Sequence, residues 1–145
     1  MEQYTQEYVT KDEHIDVQQI MDGLYYPFYM EDCRHKFIKE TIGFDIEEMA
    51  QKGINLVLSG YSIKFLRSLK KGDRFSVTCR LLKDKSGLPK FHLHQTIVMN
   101  NKVYTEAIFT GTCIELGRSR PFLPDVITTQ LEKAPLLEDK DLIKT

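Results

Sequence analysis

Residues 16–37 read DVQQIMDGLYYPFYMEDCRHKF, and the rest of the chain is organised around them. The second half of this stretch predicts a helix. Pro27 suits a first turn, where its missing N–H leaves no bond unmade. Tyr26, Met30, Cys33 and Phe37 recur at helical spacing and form one apolar stripe. Glu31, Asp32, His35, Lys36 and Lys39 cover the other face. Gly43 is placed to end the helix as a C′ residue. The first half is different. An acid, Asp16, leads through a polar approach to Asp22 and Gly23, just ahead of the helix. Chemistry is expected in that approach and packing in the helix.

Working outward, Tyr4 to Thr10 alternates Tyr, Thr and Val with polar residues and predicts a strand. Downstream of the helix, Asp45 with Glu48 forms a capping pair for a short helix through Gln51. From Ile54 the period becomes two. Ile54, Leu56 and Leu58 alternate, then the phase flips to Tyr61, Ile63 and Phe65, which predicts a β-bulge at Ser59-Gly60. Further strands are predicted over 75–81, 91–99 and 103–114. Asn100-Asn101 supplies a hairpin turn from residues that tolerate positive φ. Gly111 marks a close backbone approach. Residues 125–133 predict a short helix, and 134–145 a charged tail, frayed from Leu136 to Thr145. The order predicts an α+β domain over 1–133, one long helix against an antiparallel sheet of about five strands.

The bulk numbers agree with that outline. A chain of 145 residues with 41% apolar and 28% charged content predicts one ordinary globular domain. A net charge of −1 provides no global field for nucleic acid or an anionic membrane. Cys33, Cys79 and Cys113 are odd in number and widely spaced, which argues against a disulfide framework or zinc cluster and for a reducing compartment. The N-terminus is polar and mixed in charge, unlike a signal peptide. No apolar run approaches the ~20 residues of a membrane span. A cytoplasmic protein is expected.

Three segments look familiar in order. Glu31-Asp32-Cys33-Arg34-His35-Lys36-Phe37 is similar to a Glu-Glu-Ala-Arg helix motif. YSIKFLRSLKKGD at 61–73 is similar to a Y-x-x-P-L-x-x-G-D strand-turn, and RSRPFLP at 118–124 to a closing Arg-rich segment. Together they resemble the hotdog-fold acyl-CoA thioesterases, in the branch of 4-hydroxybenzoyl-CoA thioesterase and its YbgC-like relatives, over residues 4–132. Counting back without gaps puts Asp16 on that family's catalytic Asp and His14 on the acid before it. The chain departs from the pattern where the family has Gly-His or Gly-Ile, reading Gln19-Ile20, and where it has Asn-Asn, reading Asp22-Gly23. Anchoring on Tyr25-Tyr26-Pro27 instead moves the matched acid, and Asp22 is the rival.

The resemblance implies a hotdog fold and hydrolysis of an acyl-CoA or acyl-carrier-protein thioester. Asp16 would be base or nucleophile, and the amides near Gly23 and Leu24 an oxyanion site at a helix start. It implies no metal or redox cofactor, coenzyme A entering only as part of the substrate. It implies a homodimer or homotetramer with sites between subunits, and an acyl tunnel between helix and sheet lined by Tyr26, Met30, Tyr61 and Phe65. Plainer readings stand beside these. Asp16 and Asp22 are also turn or capping carboxylates, and His14 a solvated loop histidine or a group that orients water or phosphate. Arg67, Arg118 and Arg120 either grip coenzyme A phosphates or are solvated charge at strand ends. His92 and His94 share a strand face, yet no third ligand completes a metal set. The alternative function is a hotdog domain that binds acyl thioesters, or serves as an assembly partner, without hydrolysis.

Overall fold

The structure, a computed structural model, describes residues 3–141. Strand β1 (Tyr4–Val9) comes first, and helix α1 (Tyr26–Phe37) follows the approach segment. Helix α2 (Ile46–Gln51), strands β2 (Ile54–Phe65), β3 (Arg74–Lys83), β4 (Phe91–Met99) and β5 (Lys102–Glu115), and helix α3 (Asp125–Leu131) complete the order. The strands make one antiparallel five-stranded sheet in the order β1-β3-β4-β5-β2. This is the α+β hotdog architecture that the resemblance implies.

The period-two pattern decides which face meets α1. Phe75, Val77 and Cys79, then Phe91, Leu93 and Ile97, then Ala107, Phe109 and Cys113 point one way and form a single core with Tyr26, Met30, Cys33 and Phe37. After Phe37 the helix widens into a π turn over Ile38–Ile42, where the Gly43 N–H donates to the Ile38 carbonyl at 3.0 Å. Gly43 ends it at φ 87°, a conformation that suits glycine. Asp45 caps α2 by accepting from the Glu48 N–H at 3.1 Å.

The β2–β5 register shifts between Leu58 and Gly60, at the expected bulge. The extra residue restores phase, so Leu58, Tyr61 and Phe65 all lie on the helix side. Tyr61 stacks on Phe109, and Phe65 meets Tyr26 edge-on. On an edge strand, these three remain 45%, 54% and 51% exposed.

The other face of the sheet is polar. His92 bonds Thr110 through Nδ1 and Asp84 through Nε2, both at 2.8 Å. His94 accepts from Arg80 Nε at 3.2 Å, so its Nε2 carries the proton donated to Glu106 at 2.8 Å. Both rings are therefore engaged by side chains across the sheet. Although burial alone pushes the Asp84 carboxyl up, hydrogen bonds from Ser86 and His92 hold it below the usual carboxylate value. A carboxyl depressed in the folded state adds stability above the unfolded value near pH ~4, and this is lost as pH falls through the lower folded value. Asp84→Asn is thus expected to cost about 1–3 kcal/mol at pH 7, shrinking toward pH 3, in urea unfolding at both pH values. A deficit independent of pH would count against this account.

The tail expected to be frayed from Leu136 is docked at its start instead. Lys83 N–H donates to the Pro135 carbonyl and Leu137 N–H to the Lys83 carbonyl, both at 2.8 Å. Leu137 is buried against Leu82 and Ile108, an apolar spot on the polar face that holds the tail in place. Residues 142–145 of the expected tail lie outside the described residues. No described helix is long and apolar enough to cross a membrane.

Candidate active site

The approach segment is a small hairpin. Ile15 bridges Met21, and the Asp16 N–H donates to the Ile20 carbonyl at 2.9 Å. The turn closes at Gln19, whose φ is 70°. Left-handed backbone is unusual for glutamine and natural for glycine. Gln19 is the position at which the gapless register sets the family's glycine. The hairpin is pinned below by the Met21 N–H donating to the Leu69 carbonyl at 2.7 Å, while the Leu69 N–H donates to the Tyr26 hydroxyl at 3.0 Å.

Asp16 sits at the hairpin tip, half-buried. Its Oδ1 accepts the Gln18 N–H at 2.7 Å and its Oδ2 the Gln18 amide at 3.3 Å. Each oxygen retains accepting capacity. Burial first, then the charges of Asp73 and Asp16, push the Tyr26 phenol up, against the bond from Leu69. Tyr26 is the first residue of α1.

A short 3-10 turn, Gly23–Tyr25, leads into α1, and Asp22 is its N-cap, accepting the Leu24 N–H at 2.9 Å. The capping reading of Asp22 therefore describes its geometry. The same bond engages the Leu24 amide, one of the two expected oxyanion donors. The Gly23 N–H, at the first position of the turn, has no partner within it. A side chain at Gly23 would come within 3.8 Å of Phe65, so Gly23 lies beside the Phe65 end of β2. Asp22→Ala is expected to cost about 1 kcal/mol through loss of the cap, measurable by thermal or urea unfolding.

His14 is not a solvated loop residue. It is 6% exposed, stacked on Tyr25 with ring centroids 3.9 Å apart, and its Nδ1 lies 2.8 Å from the Tyr29 hydroxyl. The turn Asp12–His14 folds the ring back over α1, where aromatic faces from Tyr25, Phe28 and Tyr29 enclose it. Tyr26 and Met30 are core residues, 3% and 0% exposed, whereas Tyr61 and Phe65 are about half exposed on β2.

The basic residues do not converge in one chain. Arg67 follows the Phe65 end of β2. Arg118 follows Glu115, which pairs with Ile54 at the opposite end. Twelve strand residues separate those ends by roughly 40 Å at ~3.3 Å each. Arg118 is held by Glu115 at 3.7 Å and lies over Phe122 at 4.6 Å, while Arg120 is exposed. The sequence reading missed Arg34. It lies on the buried side of α1 and donates to Gln95 Oε1 at 3.2 Å. Its spacing of four from Met30 was the available signal, a charge set among stripe positions.

Known proteins agree with this picture. The family model described as the thioesterase-like superfamily matches residues 9–134. The chloroplastic acyl-acyl carrier protein thioesterase ATL3 of Arabidopsis thaliana is 34% identical over 71 residues, which is 49% of this chain and 37% of the plant protein. A 1,4-dihydroxy-2-naphthoyl-CoA thioesterase from Synechocystis superposes with a TM-score of 0.78 at 17% identity, over 90% of this chain and 96% of its own. A Staphylococcus aureus protein in complex with CoA gives 0.78 at 20% identity, over 94% and 89%. These two structural likenesses establish the fold. With a family model covering most of its length and a sheet and helix in the matching arrangement, the chain belongs to the thioesterase-like superfamily.

Proposed function

We propose that the protein hydrolyses acyl thioesters of coenzyme A or of an acyl carrier protein, in the manner of the 4-hydroxybenzoyl-CoA thioesterase and YbgC-like branch. The observation that carries this is the Asp16 hairpin, which leads through the Asp22 cap and the Gly23–Tyr25 turn into α1. The N-terminal end of that 12-residue helix favours negative charge. Acting as base, Asp16 takes a proton from water as the water oxygen bonds to the thioester carbon. Negative charge gathers on the carbonyl oxygen, where the Gly23 N–H and the helix end oppose it. Collapse breaks the C–S bond, and the departing thiolate takes up a proton. Acting as nucleophile, Asp16 would form a mixed anhydride that water then opens. The Staphylococcus relative's complex with CoA supports a coenzyme A substrate, and the plant relative's name supports a carrier protein.

A homodimer fits the same reading. β2 is a long edge strand with unpaired backbone groups and exposed apolar side chains, which another copy can cover. Antiparallel pairing along β2 would carry Arg67 of one copy toward Arg118 and Arg120 of the other. An acyl-CoA and acyl-carrier panel, followed by free-thiol release, tests the function. Turnover supports it. Saturable binding without thiol release would favour the non-hydrolytic reading.

A further inference from the structure

The polar face of the sheet, away from α1, carries a linked set of side chains that the Asp16 chemistry does not use. The Thr110 hydroxyl lies 2.8 Å from His92 Nδ1, and His92 Nε2 lies 2.8 Å from Asp84 Oδ1. The proton positions follow from the partners. The Ser86 N–H and hydroxyl both donate to Asp84 Oδ2, and Lys90 Nζ lies 3.8 Å from Oδ1, so the charged carboxylate is well supported. A carboxylate only accepts, so in the neutral ring Nε2 carries the proton and Nδ1 is bare. Thr110 then donates its hydroxyl proton to Nδ1. Hydroxyl, base and orienting carboxylate stand in the order of an activated nucleophile, which is recognised by roles and not by chain position.

A network that only satisfied a buried histidine would need no opening. Here one exists. His92 and Thr110, register partners on β4 and β5, both line an open cleft of about 330 Å³. Gly60 is the β2 partner of Thr110, and a Cβ at Gly60 would meet nothing within 4 Å. The glycine at the bulge thus leaves the space beside the hydroxyl clear. Ser62 brings a further hydroxyl to the cleft, able to donate where an acyl oxygen gains charge. Ile108 and Leu137, the latter from the docked tail, add an apolar wall that suits a short acyl chain.

We propose that Thr110 is the nucleophile of a second acyl-transfer site, with His92 as its base and Asp84 orienting the ring, acting on short-chain carboxylic esters. The Thr110 oxygen bonds to the ester carbonyl carbon as its proton passes to His92 Nδ1. The tetrahedral centre collapses, the C–O bond to the alcohol breaks, and the departing alkoxide takes the proton from Nδ1. Water then attacks the threonine ester, gives its proton to Nδ1, and that proton returns to the Thr110 oxygen as the acid leaves. The site lies on the opposite face of the sheet from α1 and does not depend on the thioesterase reading.

A small alkyl fluorophosphonate tests this. It traps an activated hydroxyl, because the oxygen bonds to phosphorus and fluoride leaves. Tandem mass spectrometry is expected to find the adduct on Thr110. His92→Gln is expected to slow the labelling at least ~10²-fold, the lower end of what a positioned base contributes. Thr110→Ser is expected to keep the adduct at that position, and Thr110→Val to abolish it. Failure of the wild type to label at Thr110, or an equal rate in His92→Gln, overturns the proposal. Should His92→Gln fail to fold, Asp84→Asn decides, since loss of the orienting carboxylate is expected to slow labelling of the folded protein and an unchanged rate overturns the proposal. Free-thiol release from acyl-CoA is read separately, so either activity can fail without the other.

Discussion

Asp16→Asn is expected to lower kcat by about 10²–10⁴, the range over which a positioned base or acid contributes. Asparagine is the informative substitute because it keeps the turn. Its side-chain oxygen still accepts from the Gln18 N–H, which Asp16 holds at 2.7 Å, and asparagine favours such Asx-turns. The hairpin, with Gln19 at φ 70°, therefore survives, and stability should change little. What is lost is the capacity to take a proton or to attack a carbonyl carbon. Asp22→Asn is the matched control, since it preserves the cap on the Leu24 N–H. Free-thiol release by both variants assigns the acid. If Asp16→Asn turns over normally while Asp22→Asn does not, the catalytic carboxylate is Asp22 and the gapless register is wrong.

Phe109→Ala is expected to show the largest loss of stability, about 3–5 kcal/mol, as for other buried aromatic truncations. Phe109 is 2% exposed and sits where three features meet. It lies under the Arg34 guanidinium, stacks against Tyr61, and belongs to the main core with Leu93 and Ala107. Its loss removes transfer energy and packing at once, and strips a buried cation of its aromatic partner. Neighbouring backbone is fixed by ladders to β4 and β2, so collapse into the space is limited. Urea unfolding against the wild type measures the cost. A loss below about 1 kcal/mol would mean that the site relaxes freely around the lost ring.

Much of the fold was legible because periodicity reports which side of an element is dry. The stripe Tyr26, Met30, Cys33 and Phe37 is buried throughout, and Gly43 ends the helical segment with positive φ. The phase flip at Ser59 is a register shift in the sheet. The candidate site was legible only in outline. Asp16 and the helix start could be named, but not that Asp22 engages the Leu24 amide, nor that three aromatic residues enclose His14.

The sequence by itself determined the α+β class, the helix and its dry face, the strands and their turns, and the short approach in which chemistry is proposed. These are local matters, settled by spacing, turn residues and caps within a few positions. The tertiary structure decided which distant residues meet. The order β1-β3-β4-β5-β2 sets Arg67 and Arg118 at opposite ends of β2 and joins His92 to Asp84 across the outer face. It also buries Arg34 over Phe109. Strand order depends on the free energy of the whole packed sheet, and no window of sequence contains it.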